Sequence, residues 1–156
     1  MTIIPPKRRK HSFTQSLIAP PAAVFPLLCP VREVDWQRDW EPRLVISQSG
    51  YAETDCLFIA PAELHEAVWV ITHYDPKAFE VVMYKITPGH TVGKLEIALA
   101  DNGAGGTTAE VSYEYTALTP AGETFLQQFT AERYAGFMKD WEKEMNHYLK
   151  TGSTLA

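Results

Sequence analysis

This chain has no long apolar run. None of its hydrophobic stretches approaches the ~18 residues of a membrane-spanning helix, which excludes a helical transmembrane protein. Cysteine is scarce: Cys29 and Cys56 lack the spacing of a thiolate metal site and read as free thiols in a reducing compartment. An excess of basic charge is missing too: the net value is −5, which argues against a nucleic-acid binder. The N-terminus, MTIIPPKRRKH, places its basic cluster after a very short apolar start, the reverse of a secretion signal, so a cytoplasmic address is expected.

Several catalytic signatures are absent as well. His65 and His73 would lie about 26 Å apart along a strand, too far to share a metal. Gly103-Ala104-Gly105-Gly106 falls between two strand patterns rather than between a strand and a helix, so it is not a phosphate loop. No serine sits in a nucleophile elbow, and nothing local lowers the pKa of either thiol. A metal, a nucleotide or another cofactor is therefore not expected.

What is present is a single globular domain's worth of material: 156 residues, 46% of them hydrophobic and only 21% charged. Residues 1–11 are expected to be a basic, solvated and peripheral tail, a phosphate or acidic-surface contact being the alternative for Lys7-Arg8-Arg9-Lys10-His11. Residues 12–152 form the domain. Ser12 to Ile18 predicts a short strand. Pro21 to Cys29 predicts a brief helix limited by prolines, and Val31 to Asp39 a second short helix or helical turn with Trp36 and Trp40 on one face.

From Arg43 the hydrophobic period changes to two. Strands are predicted over Arg43–Ser49, Thr54–Ile59, Leu64–Tyr74, Ala78–Thr87, Thr91–Ala100 and Thr107–Leu118, separated by turn formers. Short connections imply an antiparallel meander. In the last strand Glu110, Ser112 and Glu114 face water, which sends Ala109, Val111, Tyr113 and Tyr115 inward; Leu95, Ile97 and Leu99 follow in the strand before it. Taking Pro88-Gly89 as a two-residue loop pairs Val82 with Leu95 and turns Tyr84 inward. Carried back, the register pairs Tyr84 with Trp69, Val82 with Ile71 and Glu80 with His73, and leaves Val81 and Met83 outside. Agreement of the faces requires the Gly-rich loop to have odd length.

The chain closes with Thr119 to Lys150, read as one very long amphipathic helix with Thr119 as N-cap, Pro120 at the first position and Gly152 past the end. Leu126, Tyr134, Phe137, Met138, Trp141, Met145 and Tyr148 share one broad face. The expected class is α+β: a curved antiparallel sheet wrapped around this helix, with a cavity between them.

This order of elements resembles the helix-grip fold of the START and birch-pollen-allergen superfamily, which includes polyketide cyclases and dehydratases. The likeness runs from about Ser12 to Lys150. Cys29-Pro30-Val31-Arg32-Glu33 with Trp36 and Trp40, followed by Gly50 and the strands, resembles a bacterial subgroup. The resemblance implies a small hydrophobic or amphipathic molecule held between sheet and helix; some members cyclise or dehydrate it, and others are protein-binding co-chaperone modules. Candidate contacts are Cys56, Phe58, Trp69, Ile71, His73, Tyr84, Leu95, Tyr113 and Tyr115 on the sheet, Arg133, Phe137 and Trp141 on the helix, and Trp36 and Trp40 as staples or as a gate. His73 with Glu80 is the candidate acid–base pair, because histidine reaches a near-neutral pKa with least perturbation. A solvated hairpin-end ion pair is the competing reading of those two. Homodimerisation is a further expectation for the apolar N-terminal residues Ile3 and Ile4.

Overall fold

A computed structural model of the chain describes residues 1–62 and 65–156. Among these, seven strands form one antiparallel sheet in the order β1-β7-β6-β5-β4-β3-β2. They are β1 (Arg8–Leu17), β2 (Leu44–Ile46), β3 (Leu57–Pro61), β4 (Glu66–Asp75), β5 (Glu80–Thr87), β6 (Thr91–Asp101) and β7 (Thr107–Ala117). Helix α1 (Pro21–Val24) and a 3-10 turn at Phe25–Leu27 follow β1. Helices α2 (Pro120–Gln128) and α3 (Ala131–Thr151) close the chain. The helix-grip architecture expected from the sequence is the one observed. Leu64, taken as a strand start, lies outside the described residues.

The basic run is not a tail. β1 begins at Arg8 and pairs with β7 along its whole length, from Arg8 opposite Thr116 to Leu17 opposite Thr107. Lys7 reaches Glu123 at 2.7 Å, and the His11 ring bonds the Phe129 carbonyl oxygen at 2.8 Å. Period-two reading missed this because charged side chains on the outer face of an edge strand are indistinguishable from a solvated segment. Only the apolar start stands clear, with Ile3 and Ile4 exposed.

Two local features displaced the expected register. The β5–β6 loop holds three residues, since Thr87 pairs with Thr91, and Gly89 takes the left-handed conformation (φ +71°) that lets the turn close. Met83, not Val82, therefore faces Leu95. In β4 a bulge falls at Thr72: Ile71 pairs with Met83 and His73 with Val82. A one-residue slip exchanges the two faces of a strand. Val81 and Met83 are consequently buried, while Tyr84 turns to the outer face and Tyr74 turns in to meet Phe25 at 5.0 Å. By contrast β6 and β7 keep the expected faces, and the Gly-rich loop between paired Asp101 and Thr107 has the odd length required.

The outer face is more apolar than expected. Leu44–Ile59–Val68–Ile86–Val92 and Ile46–Leu57–Val70–Tyr84 form two rows crossing adjacent strands next to the short edge strand β2. Leu44, Ile46 and Leu57 are exposed.

The terminal helix is broken once. Phe129 leaves helical geometry (ψ 68°), and Thr130 starts α3 by accepting from the Arg133 amide at 3.1 Å, a second N-cap within the run. Gly152 ends α3 in the left-handed conformation, as its sequence position suggested. A Cβ on Gly136 would meet open space, so that glycine is a tolerated weakness rather than a close approach. At Gly122 a Cβ would come within 2.0 Å of the His90 carbonyl oxygen, so α2 can lie against the β5–β6 loop only with glycine there. The segment before β2 forms a 3-10 turn at Glu33–Asp35, within the expected helical turn.

The placement of β1 predicts a difference between two truncations. Removing residues 1–6 leaves the melting temperature within about two degrees. Removing residues 1–11 takes four ladder residues and the His11 bond, and lowers stability by roughly 2–4 kcal/mol. Equal melting temperatures in the two truncations would contradict the pairing of Arg8–His11 with β7.

Candidate ligand cavity

α3 covers the inner face of the sheet incompletely. Its position is set by bonds along the free edge of β1: Glu142 accepts from the Ser16 amide at 2.8 Å, and Asn146 both accepts from the Ile18 amide and donates to the Ser16 carbonyl. The buried Gln15 amide donates to the Met138 carbonyl at 2.9 Å, and the Tyr134 hydroxyl donates to the Val111 carbonyl at 2.6 Å. Tyr134, Met138, Trp141 and Met145 pack beneath this line. Towards β3–β6 the roof lifts, leaving a cavity of about 320 Å³. That volume lies at the lower end of the range for small-molecule sites.

The walls are aromatic at both ends. Phe58 and Trp69 stack at 5.3 Å, with Trp40 edge-on to both. At the other end Tyr113 lies 5.6 Å from Tyr134 and 6.0 Å from Phe137, and Tyr115 packs edge-on to Phe125 and Phe129. Of the contacts expected from the sequence, Trp40, Phe58, Trp69, Leu95, Tyr113, Tyr115, Arg133, Phe137 and Trp141 do line the cavity. Phe137 keeps 45% of its surface exposed, as a residue at the rim would.

Five others do not line it. Trp36 is fully buried as a staple, donating to the Leu27 carbonyl at 3.1 Å and meeting Trp141 edge-on. Cys56 and Ile71 are fully buried in the core beyond the cavity wall. Tyr84 points outward for the register reason given above. His73 and Glu80 meet, at 3.5 Å, but on the outer face with each about half exposed. Thr72 at the bulge is what turns His73 out. A solvated pair there is worth about 0–1 kcal/mol and has no access to a ligand. Glu144, on the apolar face of α3, is buried and accepts from the backbone and side chain of Arg38, both at 2.9 Å.

Sequence reasoning missed Glu33. The 3-10 turn at Glu33–Asp35 points its carboxyl into the cavity. Burial alone pushes the Glu33 pKa up to about 8, with no cation or hydrogen bond among the described residues to offset it. Nearby Arg32 is turned to Asp35 at 2.8 Å. Burial also raises the Tyr113 phenol well above its ordinary value, and the charges of Tyr115, Tyr134 and Glu33 add to that. Lys85, Arg133 and His90 also contribute to the lining, Lys85 with its ammonium 5.3 Å from the centre of the Trp69 ring. A lone glutamate in a polar-looking turn carries no periodic signal, so only the fold could assign it.

The architecture is the helix-grip fold, a fold also seen in START and birch-pollen-allergen-like proteins. No protein-family model matches the sequence, and no curated protein matches it. Solved structures do match. A point mutant of norcoclaurine synthase from Thalictrum flavum, in complex with a transition-state analogue, superposes with a TM-score of 0.66 at 11% identity, over 96% of this chain and all of that one. Ara h 8.0201 gives a TM-score of 0.64 at 11% identity, over 93% and 99%. A protein of unknown function from Staphylococcus aureus gives 0.67 at 12% identity, over 94% and 96%. At such identities the likeness concerns the fold. No helix among the described residues is long and apolar enough to cross a membrane.

Glu33 makes stability depend on pH in a definite direction. The folded protein holds a proton that the unfolded chain loses above its ordinary value of 4.5. The stability tied to this group is therefore full below pH 4.5 and falls as the pH rises through about 8. Unfolding in urea is expected to show Glu33→Gln more stable than wild type at pH 9 by roughly 2–4 kcal/mol, the opening of the cavity to solvent moderating the full penalty. At pH 5 the two should agree within about 1 kcal/mol. Parallel pH dependences would remove Glu33 from the desolvated site.

Proposed function

We propose that this protein binds a small hydrophobic or amphipathic molecule in the cavity between the sheet and α3. The observation that carries this reading is a cavity of about 320 Å³ walled by stacked and edge-on aromatic rings, with a few polar groups among them. Apolar surface in such a space gains from leaving water, and rings offer shape without much side-chain entropy to lose. A similar fold takes a small molecule: one norcoclaurine synthase structure holds a transition-state analogue. Cofactor-free acid–base turnover in this cavity would need a group other than His73, which does not reach it. A cytoplasmic setting accords with two buried free thiols.

Titration with a fluorescent naphthalene-type probe tests the reading. Micromolar binding is expected, with quenching of the lining tryptophans Trp40, Trp69 and Trp141. Leu95→Trp, which fills the space from the sheet, should weaken it at least tenfold while the protein stays folded. His73→Ala should leave it unchanged. Binding indifferent to Leu95→Trp would place the probe elsewhere and end the proposal.

A second use of the surface is favoured by the exposed apolar side chains of Leu44, Ile46 and Leu57 near the sheet edge, since clustered apolar exposure marks association sites. Homodimerisation there would appear as a concentration-dependent mass in sedimentation, reduced by Ile46→Lys. A single monomeric species at all concentrations would remove it.

A further inference from the structure

We propose that β1 joins β1 of a second copy edge to edge, antiparallel about a two-fold axis at His11, so that two seven-stranded sheets become one continuous sheet. The inference is independent of the cavity-binding reading and of the apolar side chains near β2, at the opposite end of the sheet.

β1 ends the sheet, with β7 as its neighbour on one side. Its register runs without a shift from Arg8 to Leu17, so successive residues turn their main-chain groups alternately towards β7 and away from it. Two observations fix which are which. The Ala117 amide donates to the Lys7 carbonyl, which points the odd positions at β7. At the other end α3 bonds the amides of Ser16 and Ile18 and the Ser16 carbonyl, which points the even positions outward. Helix α3 closes the edge only there. Arg8, Lys10, Ser12 and Thr14 carry their N–H and C=O groups on the open side, and no hydrogen bond among the described residues reaches these groups. All four residues are exposed.

Nor do side chains cover the edge. Arg8 donates to Thr116 at 3.1 Å, Lys10 lies 3.9 Å from Glu96, and Thr14 donates to Glu110, all directed back across the sheet. Arg9 and His11 turn to the carbonyl oxygens of Gln127 and Phe129 at the end of α2. The cations therefore keep their own partners in the joined sheet, and main-chain groups make the junction.

The register follows from which groups are open. Pairing Arg8 with Thr14 of the second copy, and Lys10 with Ser12, engages all four positions on both strands in about eight main-chain hydrogen bonds. A slip of two residues one way sets Thr14 against Pro6, which has no N–H, and Lys10 against Lys10. The opposite slip sets Arg8 against Ser16, whose groups α3 already holds. In the favoured register Pro6 faces that same Ser16, so a residue without a donor meets an edge that needs none. With the chain extended through Pro5 and Pro6, Ile4 then comes opposite Ile18 on the same face. Ile4 is 67% and Ile18 55% exposed in the single chain, and the pairing covers both at each end of the junction. That match selects a second copy over an unrelated extended peptide.

Sedimentation over a micromolar concentration series should show a monomer–dimer equilibrium. Ser12→Pro removes one open N–H and leaves the β7 ladder intact, so it should weaken the dimer by about tenfold with an unchanged circular dichroism spectrum. Ile4→Lys should weaken it by about threefold to tenfold. Ile46→Lys, at the other edge, should leave it unchanged. After oxidation with diamide, the double variant Lys10→Cys, Ser12→Cys should give a covalent dimer and either single variant should not, because only opposed positions lie within reach of a disulfide. The native Cys29 and Cys56 are buried and do not interfere. If Ser12→Pro fails to fold, Ile4→Lys and the cross-link decide. A monomer at every concentration overturns the junction, as does a dimer indifferent to both Ser12→Pro and Ile4→Lys. Covalent dimer formed as readily by Ser12→Cys alone, or association lost only in Ile46→Lys, overturns it too.

Discussion

The bonds between α3 and the edge of β1 are the constraint on which the rest depends. A helix laid on a curved sheet is free to slide and roll, because dispersion and apolar burial are nearly non-directional. Ser16 and Ile18 present the backbone groups of an open edge, and Glu142 and Asn146 answer them with side chains of fixed reach. Gln15 and Tyr134 add two buried bonds in which each donor meets a carbonyl. The result fixes the helix over β1 and β7 and protects an edge that would otherwise be open to pairing. It also holds the helix away from β3–β5. The cavity is what is left when directional bonds, rather than the closest packing of apolar faces, decide where the roof lies.

That space has an unusual electrostatic character for a polar-lined site. Among the described residues the Glu33 carboxyl lies among rings, so the uncharged form is favoured, and the Tyr113 phenol is held neutral still more firmly. Cationic groups are present in the lining, but none offsets Glu33. A buried acid is tolerated in a stable fold by giving up its charge, and a neutral acid is a donor. The break at Phe129–Thr130 serves the same region. It lets Phe125 and Phe129 turn towards Tyr115, which an unbroken helix carrying both rings on the axis of α3 would not do.

The outer face shows how far a single structural irregularity reaches. Thr72 is one extra residue, and it separates an inward Ile71 from an outward His73. The three-residue turn at Gly89 moves β5 by one position, so that Met83 enters the core and Tyr84 leaves it. Together they convert an expected inner acid–base pair into a solvated surface contact, and they bring Val68, Val70, Tyr84 and Ile86 into register on the outside.

The sequence by itself determined what depends on local period and local chemistry. Alternation placed β6 and β7 with the correct faces. Thr119, Pro120 and Gly152 marked the outer ends of the helical run. The element order was enough to identify the helix-grip fold and most of the aromatic wall. Tertiary structure decided whatever turns on a count of one residue or on what lies across space. The Thr72 bulge and the Gly89 loop leave no trace in a hydrophobic pattern, because period two is satisfied equally well on either side of a slip. Thr130 reads as one more polar helix residue until the chain actually bends there. Arg8 to Lys10 look solvated because an edge strand does place such side chains in water. Glu33 is ordinary in sequence, and its proton is held because the fold walls it in with rings, with no cation among the described residues offsetting that burial.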